Sequence, residues 1–272
     1  MEPFFSVIIV CLNAGEELHK TLQSVLDQTC REVQIIIKDG MSTDGSVEKL
    51  PTDARIEFVS CKDKSIYDAM NQAAAKVRGR YVLFLNCGDY LMDADVLEKV
   101  KNTIARDIEE NGAAVPCIYY GDMYERKTGN VVTSNPHLNE FALYRHVPCH
   151  QSCLYDVRLI QERTPVYEAA YKVRADYEHF LWSVYEKQAR TYYLQQTICS
   201  YEGNGFSETK QNRKMSKQEH VKITKKYMST AARCKYRTIL VLTLQPLRTA
   251  IAESKHFSAV YQKLKKTLYR RT

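Results

Sequence analysis

Short apolar runs alternate with amphipathic helical patterns along the first 112 residues of the chain. The apolar runs have the length of buried strands, and the helical patterns repeat their apolar residues every three or four positions, as Leu18, Leu22 and Val25 do. Such alternation is typical of a parallel sheet with helices on its faces. The predicted elements are strand 4–12, helix 15–28, strand 33–38, strand 56–60, helix 66–77, strand 81–85 and helix 94–111, with Asp93 as the cap of the last helix.

The pattern becomes irregular after Gly112, where strands, turns and helices no longer alternate regularly. A glycine-containing loop, YEGNGFSE, separates this part of the chain from a run of basic helical segments. The later predicted elements are strand 118–123, a turn at 127–130 followed by a strand, a loop at 135–136, helix 176–187, strand 192–201 and helical segments from about Lys210 to the end.

The composition is that of a soluble globular protein, since 44% of the 272 residues are apolar and 26% are charged. The best candidate for a membrane span, 239–244, is far too short to cross a bilayer and is followed by Pro246. The N-terminal MEPFFSVIIV has no basic lead-in or cleavage site, so secretion is not expected. Nine cysteines without framework spacing indicate free thiols in a reducing cytoplasm. Cys149 and Cys153 in CHQSC lack the second ligand pair that zinc sites usually bring.

The basic charge is concentrated at the end of the chain. Residues 1–207 carry 22 lysines and arginines against 29 aspartates and glutamates, whereas residues 208–272 carry 17 against 3. We therefore expect one domain over 1–207, with halves 1–112 and 113–207, followed by a basic helical extension over 208–272 that needs an anionic partner or a solvated face.

Polar residues follow each of the four predicted strands of the first half. The segments are NAG, DGMSTDGS, CKDKSIYDAMN and NCGDYL. In an open parallel sheet, the ligand crevice lies outside the carboxyl ends of the strands. One shared cleft at this edge explains the four endings better than four separate turns do.

Two aspartates at this edge have both a chemical and a structural interpretation. Asp89 follows Gly88, and a glycine lets a ligand approach the backbone closely. The carboxylate of Asp89 suits a hard divalent cation, with phosphate groups completing the coordination shell of that cation. Asp39 can accept a hydrogen bond from a nucleobase. Alternatively, Asp89 is part of a strand-to-turn connection, and Asp39 belongs to a turn set by Asp44-Gly45.

Four ordered motifs resemble the nucleotide-sugar domain of family-two glycosyltransferases with the GT-A fold, and most closely the bacterial branch that assembles surface polysaccharides. They are SVIIVCLNAGEELHKTLQSVLDQT, IIIKDGMSTDGS, DKSIYDAMNQA and GRYVLFLNCGDYL. The similarity is strong over 4–95 and weaker over 118–207, through YGD, HQSCLYD, ADYEHFL and GNGFS. The resemblance implies an α/β GT-A fold: a Rossmann-like, mostly parallel mixed sheet flanked by helices, with a C-terminal helical extension.

The resemblance also implies roles for individual residues on the donor side. The residues assigned to nucleotide-sugar binding are Asn13, Asp39, Asp68, Asn71 and Asn86. Asp89 would bind Mg²⁺ or Mn²⁺ that bridges the donor diphosphate. Asn86 and Gly88 stand where many family members have aspartate, which leaves Asp89 as the main anionic ligand.

An inverting transfer needs a general base for the acceptor hydroxyl and a cation that neutralises the departing diphosphate. The stretch RADYEHF lies where the family carries its acidic pair before a helix, so the resemblance assigns the catalytic role first to Asp176 and second to Glu178. Just ahead of the apolar face of its helix, Asp176 can both open the helix and point into the cleft, whereas its position alone favours a plain helix N-cap.

The acceptor side carries weaker signals. His150 and Gln151 resemble an HQ pair of this branch, although a lone histidine is more often a structural residue. Gly203 and Ser207 suggest a loop that closes over the donor or its diphosphate, and a simple surface turn is the alternative.

The basic extension has three interpretations: a helical cover packed on the domain, an anchor on an anionic membrane surface, and a nucleic-acid arm. Each basic residue near anionic lipid contributes roughly 1 kcal/mol, and the pattern at 257–268 supplies an apolar face. Peripheral association with the inner face of the cell membrane is favoured, and no nucleic-acid partner is expected because no binding module accompanies the charge.

The prediction is therefore a cytoplasmic, metal-dependent, inverting glycosyltransferase that moves a sugar from a UDP-sugar to a glycan or lipid-diphosphate-linked acceptor. A sugar nucleotidyltransferase would need a glycine-rich basic loop after the first strand, where this chain has CLNAGEELHK. A dehydrogenase would carry GxGxxG there. A nucleotide-sugar-binding protein without turnover stays open, since a fold can keep a pocket and lose its chemistry.

Overall fold

A computed structural model describes residues 2–203 and 209–243, together with Lys263 and Thr267. Its centre is one nine-stranded mixed sheet with helices on both faces. The strands are β1 (Phe5–Cys11), β2 (Val33–Asp39), β3 (Ile56–Ser60), β4 (Tyr81–Phe84), β5 (Tyr90–Leu91), β6 (Cys117–Glu125), β7 (Asn130–Val132), β8 (Cys153–Asp156) and β9 (Arg190–Tyr201).

The strand order is β3-β2-β1-β4-β8-β6-β9-β5, and β7 pairs with β6 as a hairpin. The first four strands are mutually parallel, and β6 and β9 run parallel to each other. β8 is antiparallel to both of its neighbours, and β5 is antiparallel to β9. The predicted α/β fold with a mostly parallel mixed sheet is confirmed.

Within residues 2–203 and 209–243, eight helices cover the sheet or extend from it. They are α1 (Glu16–Leu26), α2 (Ile66–Ala74), α3 (Val96–Asn111), α4 (Glu140–Arg145), α5 (Arg158–Gln161), α6 (Ala175–Tyr185), α7 (Lys210–Tyr227) and α8 (Thr230–Leu242). A single 3-10 turn, His150–Ser152, leads into β8.

The core has two halves, one on each face of the sheet. Successive side chains of a strand point to opposite faces, so Val7 packs with α1 and α3 while Ile8 packs with α2 and α6. All residues of β1, β2 and β4 are buried, as expected for parallel strands covered on both faces. This packing fixes the carboxyl ends of the strands, where the polar loops begin.

Two capping predictions were wrong. Asp95, not Asp93, occupies the N-cap position of α3, and its side chain makes no capping hydrogen bond. Arg174 occupies the N-cap position of α6, so Asp176 lies inside the first turn of the helix rather than at its cap. The sequence patterns also missed four short elements: β5, α4, β8 and α5.

The described part of the C-terminal extension packs on the domain. Glu219 of α7 is buried and accepts hydrogen bonds from the backbone N–H groups of the segment before α6, and Tyr236 of α8 donates to Glu140 of α4. The helical-cover interpretation is therefore correct for α7 and α8. The predicted boundary at 207/208, Ser207 and the apolar pattern at 257–268 lie outside the described residues, apart from Lys263 and Thr267. No described helix is long and apolar enough to cross a bilayer.

Candidate active site

A cavity of about 630 Å³ lies beyond the carboxyl end of β4, between the sheet and the helices of the second half. Six of the predicted site residues line it: Asn86, Asp89, His150, Gln151, Asp176 and Gly203. The cavity therefore brings together residues that are more than 100 positions apart in the chain.

Asp89 lies in the wall of this cavity and is only 4% exposed. Its carboxylate accepts a hydrogen bond from Gln151 Nε2 at 2.8 Å and another from the backbone N–H of Glu202 at 3.1 Å. Burial raises the pKa of Asp89 to about 6, although both hydrogen bonds act in the opposite direction. Gln151, predicted on the acceptor side, thus contacts the predicted cation ligand directly.

The donor set around Asp89 fits a hard cation that also binds phosphate. Asn86 Oδ1 is buried at the cavity wall and has no hydrogen-bond partner among the described residues, so it is available as a neutral oxygen ligand. Mg²⁺ is commonly held by one or two carboxylates with substrate phosphates completing its shell. Within the described part of the chain, no group of three His, Cys, Asp or Glu side chains could hold a metal by itself.

The backbone at Gly88 explains why glycine precedes Asp89. Gly88 has a φ of +90°, and a Cβ placed there would lie 3.3 Å from a carboxylate oxygen of Glu202. The Gly88 carbonyl accepts a 2.6 Å hydrogen bond from Arg126, whose guanidinium lies over the ring of Tyr90. These contacts fix the turn that presents Asp89 to the cavity.

Asp176 lines the same cavity from the first turn of α6. The hydroxyl of Tyr67 on α2 lies 2.9 Å from Asp176 Oδ1 and 2.9 Å from the carbonyl oxygen of Val173, so its single proton can serve either acceptor. Tyr67 is buried and itself lines the cavity. A carboxylate held from one side and open to the cavity on the other suits proton transfer.

Glu178, the second predicted catalytic residue, lies outside this cavity. Its side chain is fully buried and forms ion pairs with Arg163 at 2.8 Å and Lys226 at 2.7 Å, and it accepts a hydrogen bond from Tyr227. Residues two positions apart on a helix point in nearly opposite directions, so Asp176 and Glu178 cannot both face the cavity. The structure gives Glu178 a structural role that joins α6 to α7.

Asp39 and Asn13 lie at the same edge of the sheet but do not line the cavity. Asp39 is 1% exposed and accepts hydrogen bonds from the backbone N–H of Met41, from Ser42 and from the Ser60 hydroxyl. Burial alone would raise the pKa of Asp39, but these hydrogen bonds outweigh it and lower the pKa. Asn13 Oδ1 accepts from the N–H of Thr43, so both residues shape the loop after β2.

A short path connects Asp39 with the cavity. Cys11 at the end of β1 lies 3.8 Å from Asp39 Oδ1, and its thiol also interacts with Cys87, which lines the cavity. Asp39 therefore lies beside the cavity that Asp89 and Asp176 line, rather than in it.

Asp68 and Asn71 on α2 do not line the cavity either. Asp68 accepts hydrogen bonds from the N–H of Lys64 and from Gln72, and thereby closes the first turn of α2. Asn71 exchanges two hydrogen bonds with the backbone of Tyr167, at 2.8 and 2.9 Å. Their donor-binding roles remain predictions, while their observed contacts are structural.

His150 lies at the bottom of the cavity in an aromatic cluster. Its ring stacks on Phe84 and contacts Tyr167, which contacts His179 in turn. The ring nitrogens of both histidines lack hydrogen-bond partners among the described residues. Burial lowers the pKa of both, to about 3 for His179, and the negative charge of Asp176 opposes this shift at His150. Both imidazoles are neutral near pH 7.

Sequence patterns did not predict several cavity residues. Tyr67 lies in DKSIYDAMNQA and Arg174 lies two positions before the predicted catalytic aspartate, but neither residue type has a characteristic spacing there. Arg145 lies on the unpredicted helix α4, and Ser216 comes from α7 in the basic extension. The YGD and HQSCLYD motifs were the only signals near α4 and β8.

Comparison with protein families gives an independent result. The model of glycosyl transferase family 2 matches residues 6–166. A PGL/p-HBAD biosynthesis glycosyltransferase of Mycobacterium bovis is 30% identical over 213 residues, which cover 76% of this chain and 80% of that protein. An Escherichia coli protein, the UDP-Glc:alpha-D-GlcNAc-diphosphoundecaprenol beta-1,3-glucosyltransferase WfaP, is 30% identical over 65% of this chain and 68% of its own length.

Solved structures share the fold at low sequence identity. S. aureus TarS 1-349 in complex with UDP-GlcNAc has a TM-score of 0.64 and 18% identity over 87% of this chain. The chain spans 60% to 70% of the length of the TarS 1-349 chains that it matches. The mannosyltransferase PcManGT from Pyrobaculum calidifontis, in complex with GDP-Man and Mn2+, has a TM-score of 0.56 and 13% identity over 97% of this chain. These likenesses confirm the GT-A fold.

Proposed function

The chain belongs to glycosyl transferase family 2, and we propose that it moves one sugar with inversion from a UDP-sugar to a lipid-linked glycan acceptor. The observation that carries the proposal is that Asp89 and Asp176 line one cavity at the carboxyl edge of the sheet. The printed names of two similar proteins support the substrate classes: TarS was solved with UDP-GlcNAc, and WfaP acts on a diphosphoundecaprenol-linked sugar. The resulting process is the assembly of a bacterial surface polysaccharide.

Asp89 and Asn86 form the donor side of the proposed site. They would hold Mg²⁺ or Mn²⁺ together with the diphosphate of the donor. When bound, the cation supplies positive charge that neutralises the departing nucleoside diphosphate. Gln151 holds the Asp89 carboxylate in place through its 2.8 Å hydrogen bond.

Asp176 is the proposed general base. As the acceptor hydroxyl attacks the anomeric carbon from the side opposite the leaving diphosphate, its proton passes to Asp176, and the configuration at that carbon inverts. Tyr67 orients the carboxylate.

The experiment is a transfer assay with labelled UDP- and GDP-sugars, Mn²⁺ and an α-D-GlcNAc-diphospho-lipid acceptor. Wild type is expected to form a product of inverted anomeric configuration, while Asp89→Asn and Asp176→Asn form little. Asp27→Asn, an exposed aspartate at the end of α1, serves as the matched control. Binding of donor without product in every combination would support the binding-protein alternative instead.

We also propose that the extension attaches the enzyme to the inner face of the cell membrane. Supporting observations are the exposed basic side chains of α7 and the exposed Val221, Val241 and Leu242. Anionic vesicles of phosphatidylglycerol are expected to sediment the protein at low salt, and neutral phosphatidylcholine vesicles are not. Equal behaviour with both vesicles would contradict this attachment.

A further inference from the structure

Two arginines of the cavity lack a carboxylate partner. Arg145 at the end of α4 and Arg174 before α6 are half-buried and line the cavity, and neither forms an ion pair with any described residue. Four of the six other half-buried arginines each pair with a carboxylate: Arg55 with Asp53, Arg158 with Asp156, Arg163 with Glu178 and Arg190 with Asp107. The cavity therefore holds two guanidinium groups that are not in direct contact with a described carboxylate, although Asp89, Asp176 and Glu202 line other parts of its wall.

Arg174 is fixed in place by the extension. Its Nε donates a 2.7 Å hydrogen bond to the Ser216 hydroxyl, and its backbone N–H donates to Glu219 at 2.9 Å. Its guanidinium also lies 5.3 Å from the centre of the Tyr177 ring. The two Nη groups form no hydrogen bond to any residue that the structure describes. They are oriented in advance for an anion that enters the cavity.

Arg145 lies on a segment that combines charge with an apolar surface. Its guanidinium lies near the ring of Phe141, and it makes no hydrogen bond within residues 2–203 and 209–243. The same stretch of chain contributes apolar side chains to the cavity wall, namely Leu138, Ala142, Val147 and Pro148. An anion attached to an apolar chain matches this combination.

Guanidinium groups bind phosphate oxygens in a bidentate manner and keep their charge at all physiological pH values. A single carboxylate would neutralise only one of the two arginines, whereas a diphosphate brings enough charge for both. In the proposed function, the donor diphosphate binds beside Asp89 and Asn86. We propose that Arg145 and Arg174 bind the diphosphate of the lipid-linked acceptor. This inference rests on the proposed function and names the group by which that site recognises its acceptor.

Binding of geranyl diphosphate to the full chain, measured by titration calorimetry in EDTA, tests the assignment without the need for turnover. EDTA removes cations that could link the probe to Asp89. Wild type should bind geranyl diphosphate and not geraniol. Arg174→Gln and Arg145→Gln should each weaken binding roughly tenfold or more, because each removes a charge-assisted contact. The affinity of Arg174→Lys should lie between those of wild type and Arg174→Gln, because lysine keeps the positive charge but cannot form the bidentate hydrogen bonds of a guanidinium group.

Two controls separate this subsite from the donor site and from general charge. Arg213→Gln changes an exposed arginine of α7 and should leave the affinity for geranyl diphosphate within about twofold of wild type. Binding of UDP with Mn²⁺ should also stay within about twofold in all variants. Unfolding curves check the fold of Arg174→Gln, and Arg145→Gln is an independent variant because no described hydrogen bond depends on its side chain.

The assignment is overturned if wild type binds geranyl diphosphate no better than geraniol, or if the two arginine variants bind it as wild type does. A parallel loss of UDP affinity would assign the arginines to the donor instead. These results are independent of sugar transfer. A chain that transfers no sugar can still show the binding pattern, and an active transferase without it would refute this inference alone.

Discussion

The two ends of the polar edge satisfy their hydrogen bonds in different ways. At the first end, the loops after β1 and β2 bond to one another: the N–H of Asn13 donates to Ser42, and the N–H of Gly15 donates to Asp44. At the cavity end, Asn86 Oδ1 and both ring nitrogens of His150 have no partner within the described part of the chain. The first end is complete without a ligand, and the cavity end is not.

This difference indicates where a ligand contributes to the structure. A buried polar atom without a partner costs about 1–3 kcal/mol, so it persists only where something compensates for it. Paired groups such as Asp39 set the shape of a loop, whereas unpaired groups such as Asn86 are available to a substrate. Each of the following predictions tests or sharpens this distinction.

The largest expected effect is on the chemistry of the cavity end. Asp176→Asn removes the proposed base and should lower the turnover rate by about 10²–10⁴-fold, the usual contribution of general-base catalysis. The midpoint of thermal unfolding should change little, because the substitution alters only one described side-chain hydrogen bond of the ionised Asp176 carboxylate, the one from the Tyr67 hydroxyl. Initial rates of transfer from a labelled UDP-sugar measure the effect, and an unchanged rate would remove Asp176 from the mechanism.

Glu178 is the matched contrast on the same helix. Glu178→Gln leaves Arg163 and Lys226 without their buried counter-charge and should destabilise the fold by about 3–5 kcal/mol. The turnover of the folded fraction should stay within a fewfold of wild type. Urea unfolding measures the loss of stability, and transfer rates divided by the concentration of folded protein measure the turnover. A stable variant with turnover as low as that of Asp176→Asn would restore the catalytic role of Glu178.

At the self-bonded end, Asp39→Asn tests whether pairing determines stability. The amide keeps one acceptor oxygen and presents N–H groups to the donors of Met41 and Ser42, so the free energy of unfolding should fall by about 1–3 kcal/mol. Asn86→Ala should change it by less than about 1 kcal/mol and mainly weaken the binding of UDP with Mn²⁺. Equal destabilisation by the two variants would contradict the distinction between the two ends.

The last prediction concerns His179, a buried histidine that contacts Tyr167 in the aromatic cluster of His150. Burial, aided by the charge of Arg163, lowers the pKa of His179 to about 3, against about 6.5 in the unfolded chain. Below pH 6.5 the imidazole binds a proton in the unfolded state but not in the folded state. The contribution of His179 to the free energy of unfolding is therefore present above pH 6.5 and is lost as the pH falls towards 3. Between pH 6.5 and 5, wild type should lose up to about 2 kcal/mol more than His179→Phe. Parallel pH profiles in urea titrations would refute this expectation.

The hydrophobic pattern was sufficient to predict the first half of the sheet. β1, β2 and β4 were predicted within one residue at each end, because strands buried on both faces are continuous apolar runs. The half-exposed strand β3 was predicted at its observed bounds. The short strand β8 was missed because its four residues are stabilised by pairing with β4 and β6, which are distant in sequence.

The candidate site was predictable only in part. Asp89 and Asp176 were identified from a strand ending and from the family resemblance, and both line the cavity. The burial of Glu178 follows from helix geometry, since a residue two positions from Asp176 must point the other way. Ser216 could not be predicted, because its contact with Arg174 joins segments 42 positions apart. Arg145 was missed together with the helix that carries it.

The central claim is that Asp89 binds the donor and Asp176 accepts the proton of the acceptor hydroxyl, both within one cavity. Calorimetric titration of UDP in the presence of Mn²⁺ tests this division of roles most directly. The account predicts that Asp89→Asn loses Mn²⁺-dependent UDP binding and that Asp176→Asn keeps the affinity of wild type. Retention of binding by Asp89→Asn, or its loss in Asp176→Asn alone, would contradict the account.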